Sequence, residues 1–152
     1  MTNLKPGDKA PEFSYINQAG KKISLENYKG KKLILYFYPK DNTPGCTDEA
    51  CNLRDNFQLL KEKGFEIIGV SPDNENSHNN FIKKLNLSFE LIPDTDKEIL
   101  KNYGVWDKKV MFGKTKEGVL RTTFVIDETG KIEKVFTKVQ TKDHSEQILN
   151  EY

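Results

Sequence analysis

Apolar positions in this chain change period several times, and each change marks an element. FSYIN and KISLENY are short strand-like runs on either side of the turn-forming stretch QAGK, which predicts an N-terminal β-hairpin. KKLILYFYP then carries an unbroken apolar run from Leu33 to Tyr38, the pattern of a strand buried on both faces, and Pro39 ends it. From about Pro44 to Lys63 the apolar residues Ala50, Leu53, Phe57 and Leu60 recur at helical spacing. That predicts one long amphipathic helix closed by Gly64.

The alternation continues. FEIIGVSPD repeats the buried-strand pattern, and NSHNNFIKKLNL follows as a helix whose apolar side includes Phe81, Ile82 and Leu85. FELIPD reads as a short strand and KEILKNYGV as a short helix. GVLRTTFVIDETGKIEKVF reads as two strands joined at DETG, and DHSEQILNEY as a closing helix begun by Asp143. No repeat, low-complexity run or long linker interrupts this order. The expectation is a single α/β domain over 1–152, with a mixed sheet covered by helices.

Composition narrows the chemistry. With 152 residues, 36% of them hydrophobic, the chain can bury a core of its own. Its 24 basic and 23 acidic residues leave a net charge of +1 and form no long block of one sign, which argues against nucleic acid as a partner. MTNLKPGDKAPEF lacks the apolar run of a signal peptide, and no later stretch is long and apolar enough to span a bilayer. The expected location is the cytoplasm, with no membrane partner. Its two cysteines, Cys46 and Cys51, would be poor candidates for a permanent disulfide in a reducing compartment. A C-x4-C pair without nearby Cys or His ligands is a weak zinc site. Weight shifts to thiol chemistry or to plain burial.

The address of Cys46 favours chemistry. It lies just beyond a buried strand and in the first turn of a predicted helix, the place where open α/β sheets carry their sites. Thr43 is positioned to cap that helix with its hydroxyl, and Pro44 suits the first helical position. The free N–H groups and the positive end of the helix dipole then favour a thiolate at Cys46 over the thiol. In a regular helix, residues five apart are turned by about 140° and their Cα atoms are about 8.6 Å apart. A disulfide needs about 6.8 Å or less. Cys46 shares its stripe with Ala50, Leu53 and Phe57, whereas Cys51 points away from it.

Pro39-Lys40-Asp41-Asn42-Thr43-Pro44-Gly45-Cys46 resembles the P-x-x-x-T-x-x-C signature of peroxiredoxins. TPGCTDEAC, with its second cysteine five residues on, is similar to the bacterioferritin comigratory protein, or PrxQ, subgroup. KPGDKAPEFS, YFYPK, LRDNF, YGVW, GKTKEG and RTTFVID resemble that subgroup in the same order, so the likeness covers nearly the whole chain. It implies a thioredoxin-like fold and a thiol-dependent peroxidase acting on hydrogen peroxide and organic hydroperoxides. By the same resemblance Cys46 is the peroxidatic nucleophile and Thr43 bonds peroxide and thiolate. Pro39 shields the site, and Arg121 is the family's arginine. Glu49 matches an acidic residue that orients that arginine, although a solvated acid in the helix would look the same. Many peroxiredoxins have proline after the nucleophile; here it is Thr47, as the PrxQ type tends to have. Cys51 is the one internal thiol able to resolve a Cys46 sulfenic acid. Thioredoxin or a similar dithiol is the implied reductant, and a monomer is expected, with a weak dimer allowed.

Arg121 has a reading of its own, since a guanidinium at the start of an apolar, β-branched strand can hold several oxygen or sulfur acceptors through fixed donors. His78 and His144 have no metal-ligand spacing and read as exposed helix residues. Trp106 and Met111-Phe112 read as a glycine-bordered loop partly buried around the site. No phosphate- or dinucleotide-binding motif is present, so no bound cofactor or metal is expected. A general thiol-disulfide oxidoreductase, which would normally use C-x-x-C, and a redox-sensing or holdase protein are the other readings.

Overall fold

The structure is a computed structural model that describes residues 2–17 and 19–152. Its centre is a five-stranded sheet built from β3 (Lys32–Phe37), β4 (Phe65–Ser71), β5 (Glu90–Pro93), β8 (Thr122–Ile126) and β9 (Ile132–Phe136), in the order β5-β4-β3-β8-β9. β3, β4 and β5 are mutually parallel, while β8 runs antiparallel to β3 and β9 antiparallel to β8. Parallel neighbours need crossovers, and helices supply them. α1 (Pro44–Asp55) and α2 (Phe57–Glu62) connect β3 to β4, and α3 (Glu75–Leu85) connects β4 to β5. The expected N-terminal hairpin is present as β1 (Ser14–Ile16) and β2 (Lys22–Ser24), followed by a 3-10 turn at Leu25–Tyr28; Gln18 at its tip lies outside the described residues.

The unbroken apolar run of β3 is explained by burial on both faces. Leu33, Leu35 and Phe37 join a cluster with Ile68, Val70, Phe124 and Ile126, covered by Leu100 and Tyr103 of the α4 (Glu98–Asn102) region and by Phe13 and Ile23. Ile34, Tyr36 and Tyr38 face the other side. There they meet Cys46, Ala50 and Leu53 of α1, Phe81 and Leu85 of α3, and Ile148 of α5 (His144–Leu149). The site is therefore built on the helix-rich face.

Three expectations need correction. The long helix over Pro44–Lys63 is two helices, because Asn56 leaves the helical conformation (φ −106°, ψ 8°) and turns its side-chain amide back onto the Asn52 carbonyl at 2.8 Å. An asparagine side chain competes with the backbone ladder in this way. Gly64 does close the second helix, with φ +90°. GVLRTTFVID is not one strand: β7 ends at Val119 and β8 begins at Thr122, so Leu120 and Arg121 fall in the break.

The glycine-bordered segment is no loop around the site. β6 (Trp106–Met111) and β7 (Lys114–Val119) form an antiparallel hairpin turned by Phe112 (φ +52°) and Gly113 (φ +76°), both left-handed as a tight hairpin turn requires. Phe112 is 97% exposed, whereas Trp106 packs against the core, its ring 5.4 Å from Lys97 Nζ. The lysines of this hairpin concealed its strand character.

Candidate active site

The sheet register brings the site together. Phe37 at the end of β3 pairs with Thr122 at the start of β8, so Arg121, one residue earlier, lies opposite the point where the chain leaves β3 for α1. Pro39 is half-buried in that connection, and Cys46 is 1% exposed in the first turn of α1. Arg121 spans the gap. Its Nη2 donates to Cys46 Sγ at 3.2 Å and its Nη1 donates to Glu49 Oε1 at 2.6 Å. One guanidinium thus holds two anion-forming groups, which its planar fork permits and a lysine would not.

Thr43 occupies the N-cap position in extended conformation, but its hydroxyl does not cap the helix. It donates instead to the Lys40 carbonyl at 2.9 Å and closes the connection on itself. The first helical hydrogen bond runs from Thr47 N–H to Thr43 O at 2.9 Å, so the N–H groups of Gly45 and Cys46 precede the ladder. They remain at the positive end of the helix, beside the thiol. Cys51 is a free thiol like Cys46, and it lies on the same helix. It does not turn fully from the core: it is half-buried and packs at the rim of the cluster that contains Cys46.

Glu49 is not a solvated acid. Its side chain is fully buried, and burial outweighs the pull of Arg121, pushing its carboxyl up to about 7. Its second oxygen, Oε2, has no hydrogen-bond partner among the described residues and lies 3.6 Å from His144 Nε2. His144 was expected to be exposed and is instead fully buried, which pushes its imidazole down to about 4. Asn52 docks α1 against the start of α5. Its Oδ1 accepts from Ser145 N–H at 2.7 Å and its Nδ2 donates to the Lys142 carbonyl at 3.0 Å.

His78 is likewise buried rather than exposed, and it anchors the connection that carries Pro39 and Thr43. Asp41 accepts from Tyr38 Oη at 2.7 Å, Ser77 Oγ at 2.7 Å and His78 Nδ1 at 2.8 Å. His78 Nε2 faces the Ile92 carbonyl at 3.1 Å. Both ring nitrogens therefore face oxygen atoms that can accept. Hydrogen bonding by these groups holds Asp41 below the usual carboxylate range against its desolvation. Asp41, Asp73 and His78 bring three metal-capable atoms within 4.8 Å. Each is already engaged, since Asp73 Oδ2 accepts from Asp41 N–H at 2.7 Å and from Ser71 Oγ at 2.9 Å. Sequence spacing held a clue to His78: it lies three, four and seven residues before Phe81, Ile82 and Leu85, on their stripe.

Residues 6–135 match the AhpC/TSA family. The chain belongs to that family, among the Bcp peroxiredoxins. It is 48% identical over 149 residues to the putative peroxiredoxin bcp of Buchnera aphidicola subsp. Schizaphis graminum, covering 98% of this chain and 94% of that protein. It is 43% identical over 150 residues to peroxiredoxin Bcp of Escherichia coli K12, covering 99% and 96%. Among solved structures, the bacterioferritin comigratory protein of Xanthomonas campestris, studied for alkyl peroxide reduction, superimposes with a TM-score of 0.84. That match has 30% identity and covers 99% of this chain and 96% of that one. The fold is accordingly thioredoxin-like. Like other peroxiredoxins, the chain is a thiol-dependent peroxidase, with a peroxide as substrate and a thiol as reductant.

A depression of about 420 Å³ opens beside Arg121, lined by Leu120, Thr122, Thr137, Lys138 and Val139. A larger one of about 560 Å³ lies elsewhere, between the N-terminal hairpin and α4, and contains none of the expected site residues.

Proposed function

We propose that Cys46 is the peroxidatic nucleophile and that Cys51 resolves it within the same chain. The observation that carries this reading is the 3.2 Å contact from Arg121 Nη2 to Cys46 Sγ, which places a fixed positive charge on the sulfur at a helix N-terminus. The Cys46 thiolate attacks the terminal oxygen of the peroxide, the O–O bond breaks, and the departing oxygen leaves as water or an alcohol after taking one proton. Cys46 is left as a sulfenic acid. Arg121 and the Gly45 and Cys46 N–H groups bear on the charge that develops on the oxygens. Glu49 orients Arg121, Pro39 limits water at the sulfur, and the Thr43 hydroxyl turns from the Lys40 carbonyl to the peroxide when one is bound.

The Cys51 thiolate then attacks the Cys46 sulfur, the S–O bond breaks, and the departing hydroxide takes one proton to leave as water, forming an intramolecular disulfide. Five residues on a regular helix keep the two Cα atoms too far apart for that bond. The first turns of α1 must therefore open, at about 1 kcal/mol for each helical hydrogen bond released. Thioredoxin or a similar dithiol protein restores both thiols, and the protein acts as a monomer. The apolar side of the depression beside Arg121, Leu120 and Val139, favours organic hydroperoxides along with hydrogen peroxide. The test is peroxide-dependent turnover with a thioredoxin system: wild type should consume peroxide and Cys46→Ser should not. Turnover in Cys46→Ser equal to wild type would refute the assignment.

A further inference from the structure

Arg121 is bonded to two groups that can each be an anion, yet it has only one positive charge to offer. The Cys46 sulfur and the Glu49 carboxyl are both buried, and the Arg121 side chain is 22% exposed. A thiolate and a carboxylate there together would leave an uncompensated negative charge out of water, the arrangement that buried sites avoid by keeping a proton. The place for that proton is visible. Among the described residues Glu49 Oε2 is buried with no hydrogen-bond partner, and the basic atom facing it is His144 Nε2, at 3.6 Å and a few tenths of an ångström beyond bonding distance.

The protonation of His144 can be read from its neighbours. Gln147 Nε2 donates to the Lys138 carbonyl and its Oε1 accepts from Gln140 N–H, which fixes the orientation of the amide. Oε1 also faces His144 Nδ1 at 2.9 Å, so Nδ1 carries a hydrogen. Nε2 is then the basic nitrogen. It lies 2.8 Å from Thr123 Oγ1, whose hydroxyl donates to it when the ring is neutral.

We infer that His144 is a positioning residue of the peroxidatic site that shares one proton with Glu49, so that Arg121 is balanced by the Cys46 thiolate before the reaction and by the Glu49 carboxylate after it. The inference rests on the nucleophilic role proposed for Cys46. The reaction joins a thiolate, a peroxide and one proton to give a sulfenic acid and water or an alcohol, so it consumes a proton as the sulfur loses its charge. The Glu49–His144 pair releases one at that step, and the net charge of the site does not change. The groups facing the pair are Cys46 on α1, Tyr36 on β3, Arg121 and Thr123 at β8, and Gln147 on α5. Burial above all keeps the Tyr36 phenol well above its ordinary range, so it stays neutral throughout.

The experiment is a proton count in weakly buffered solution with a pH indicator, during single-turnover oxidation of Cys51→Ser by hydrogen peroxide. It is run above the pH at which alkylation shows Cys46 to be ionised. Cys51→Ser should take up no proton from the medium per sulfenic acid formed. Adding Glu49→Gln, which cannot store the proton, should raise uptake to one, and adding His144→Asn, which removes Nε2, should raise it in the same direction. A full proton taken up by Cys51→Ser alone would overturn the inference, as would no uptake in the Glu49→Gln background. Uptake in the His144→Asn background equal to its parent would overturn the role of His144. If no Cys46 sulfenic acid forms at all, the failure lies with the nucleophile assignment instead. Infrared difference spectra of the same oxidation provide a second readout in the unaltered pair, where a protonated-carboxyl or imidazolium signal should disappear. Absence of both signals from the reduced protein would also overturn the inference.

Discussion

Cys46 and Cys51 stand on one uninterrupted helix, the first buried under the Arg121 guanidinium and the second half-buried at the rim of the same apolar cluster. With the roles proposed for these thiols, the reduced helix favours attack on peroxide over the disulfide. Oxidised protein should show faster amide hydrogen exchange than reduced protein over about residues 44 to 56, with the central strands unchanged. Equal protection in both states, with the Cys46–Cys51 bond confirmed by mass spectrometry, would rule out the opening of α1.

Among the described residues Arg121 is the one cation bonded to the Cys46 sulfur. Arg121→Met should slow sulfenic acid formation by roughly 100-fold or more, the loss expected for one preorganised donor, and should move the alkylation curve of Cys46 to higher pH. A peroxide rate and an alkylation curve that both match wild type would remove Arg121 from the site.

The Glu49–His144 pair gives opposite pH dependences of stability. Glu49 is raised from 4.5 to about 7 by burial, so its contribution to stability falls as pH rises from about 4.5 to 7. His144 is depressed from 6.5 to about 4, again by burial, so its contribution is lost as pH falls from about 6.5 to 4. Each corresponds to roughly 3 kcal/mol, and between about 4.5 and 6.5 they offset one another. Urea unfolding of Glu49→Gln should therefore show stability rising with pH across that window. His144→Asn should show it falling, and wild type should be flatter than either. Parallel pH profiles for all three would contradict these shifts.

Asp41 and His78 form a buried hydrogen-bonded pair, with side chains 1% and 2% exposed. Removing one partner strands the other, at a cost of roughly 3 to 5 kcal/mol. His78→Asn should lower the melting temperature by on the order of 10 °C. Because both residues belong to one network, the Asp41→Asn/His78→Asn double variant should lose less than the sum of the single losses. Strict additivity would show that the pair is not coupled.

The buried strands, the helix start at Pro44 and the thiol beside it were legible because each has a local signal: an unbroken apolar run, a proline and a turn. The buried Glu49–His144 pair had none. His144 and Glu49 are brought together by the packing of α5 on α1 through Asn52, a contact 93 residues apart in the chain. The break at Asn56 and the Lys40 partner of Thr43 depend on side chains choosing a backbone acceptor over solvent or the helix end, a choice that spacing does not encode. The β6–β7 hairpin was hidden by its lysines and by a turn made from Phe112 and Gly113 in place of an Asn-Gly signal.

The most direct test of the account is single-turnover trapping of the sulfenic acid after one addition of peroxide, in Cys51→Ser and in Cys46→Ser. Cys51→Ser should react rapidly once and hold a sulfenic acid at Cys46, while Cys46→Ser should yield none. A rapidly formed sulfenic acid at Cys51 in Cys46→Ser, with none at Cys46 in Cys51→Ser, would reverse the roles and contradict the account.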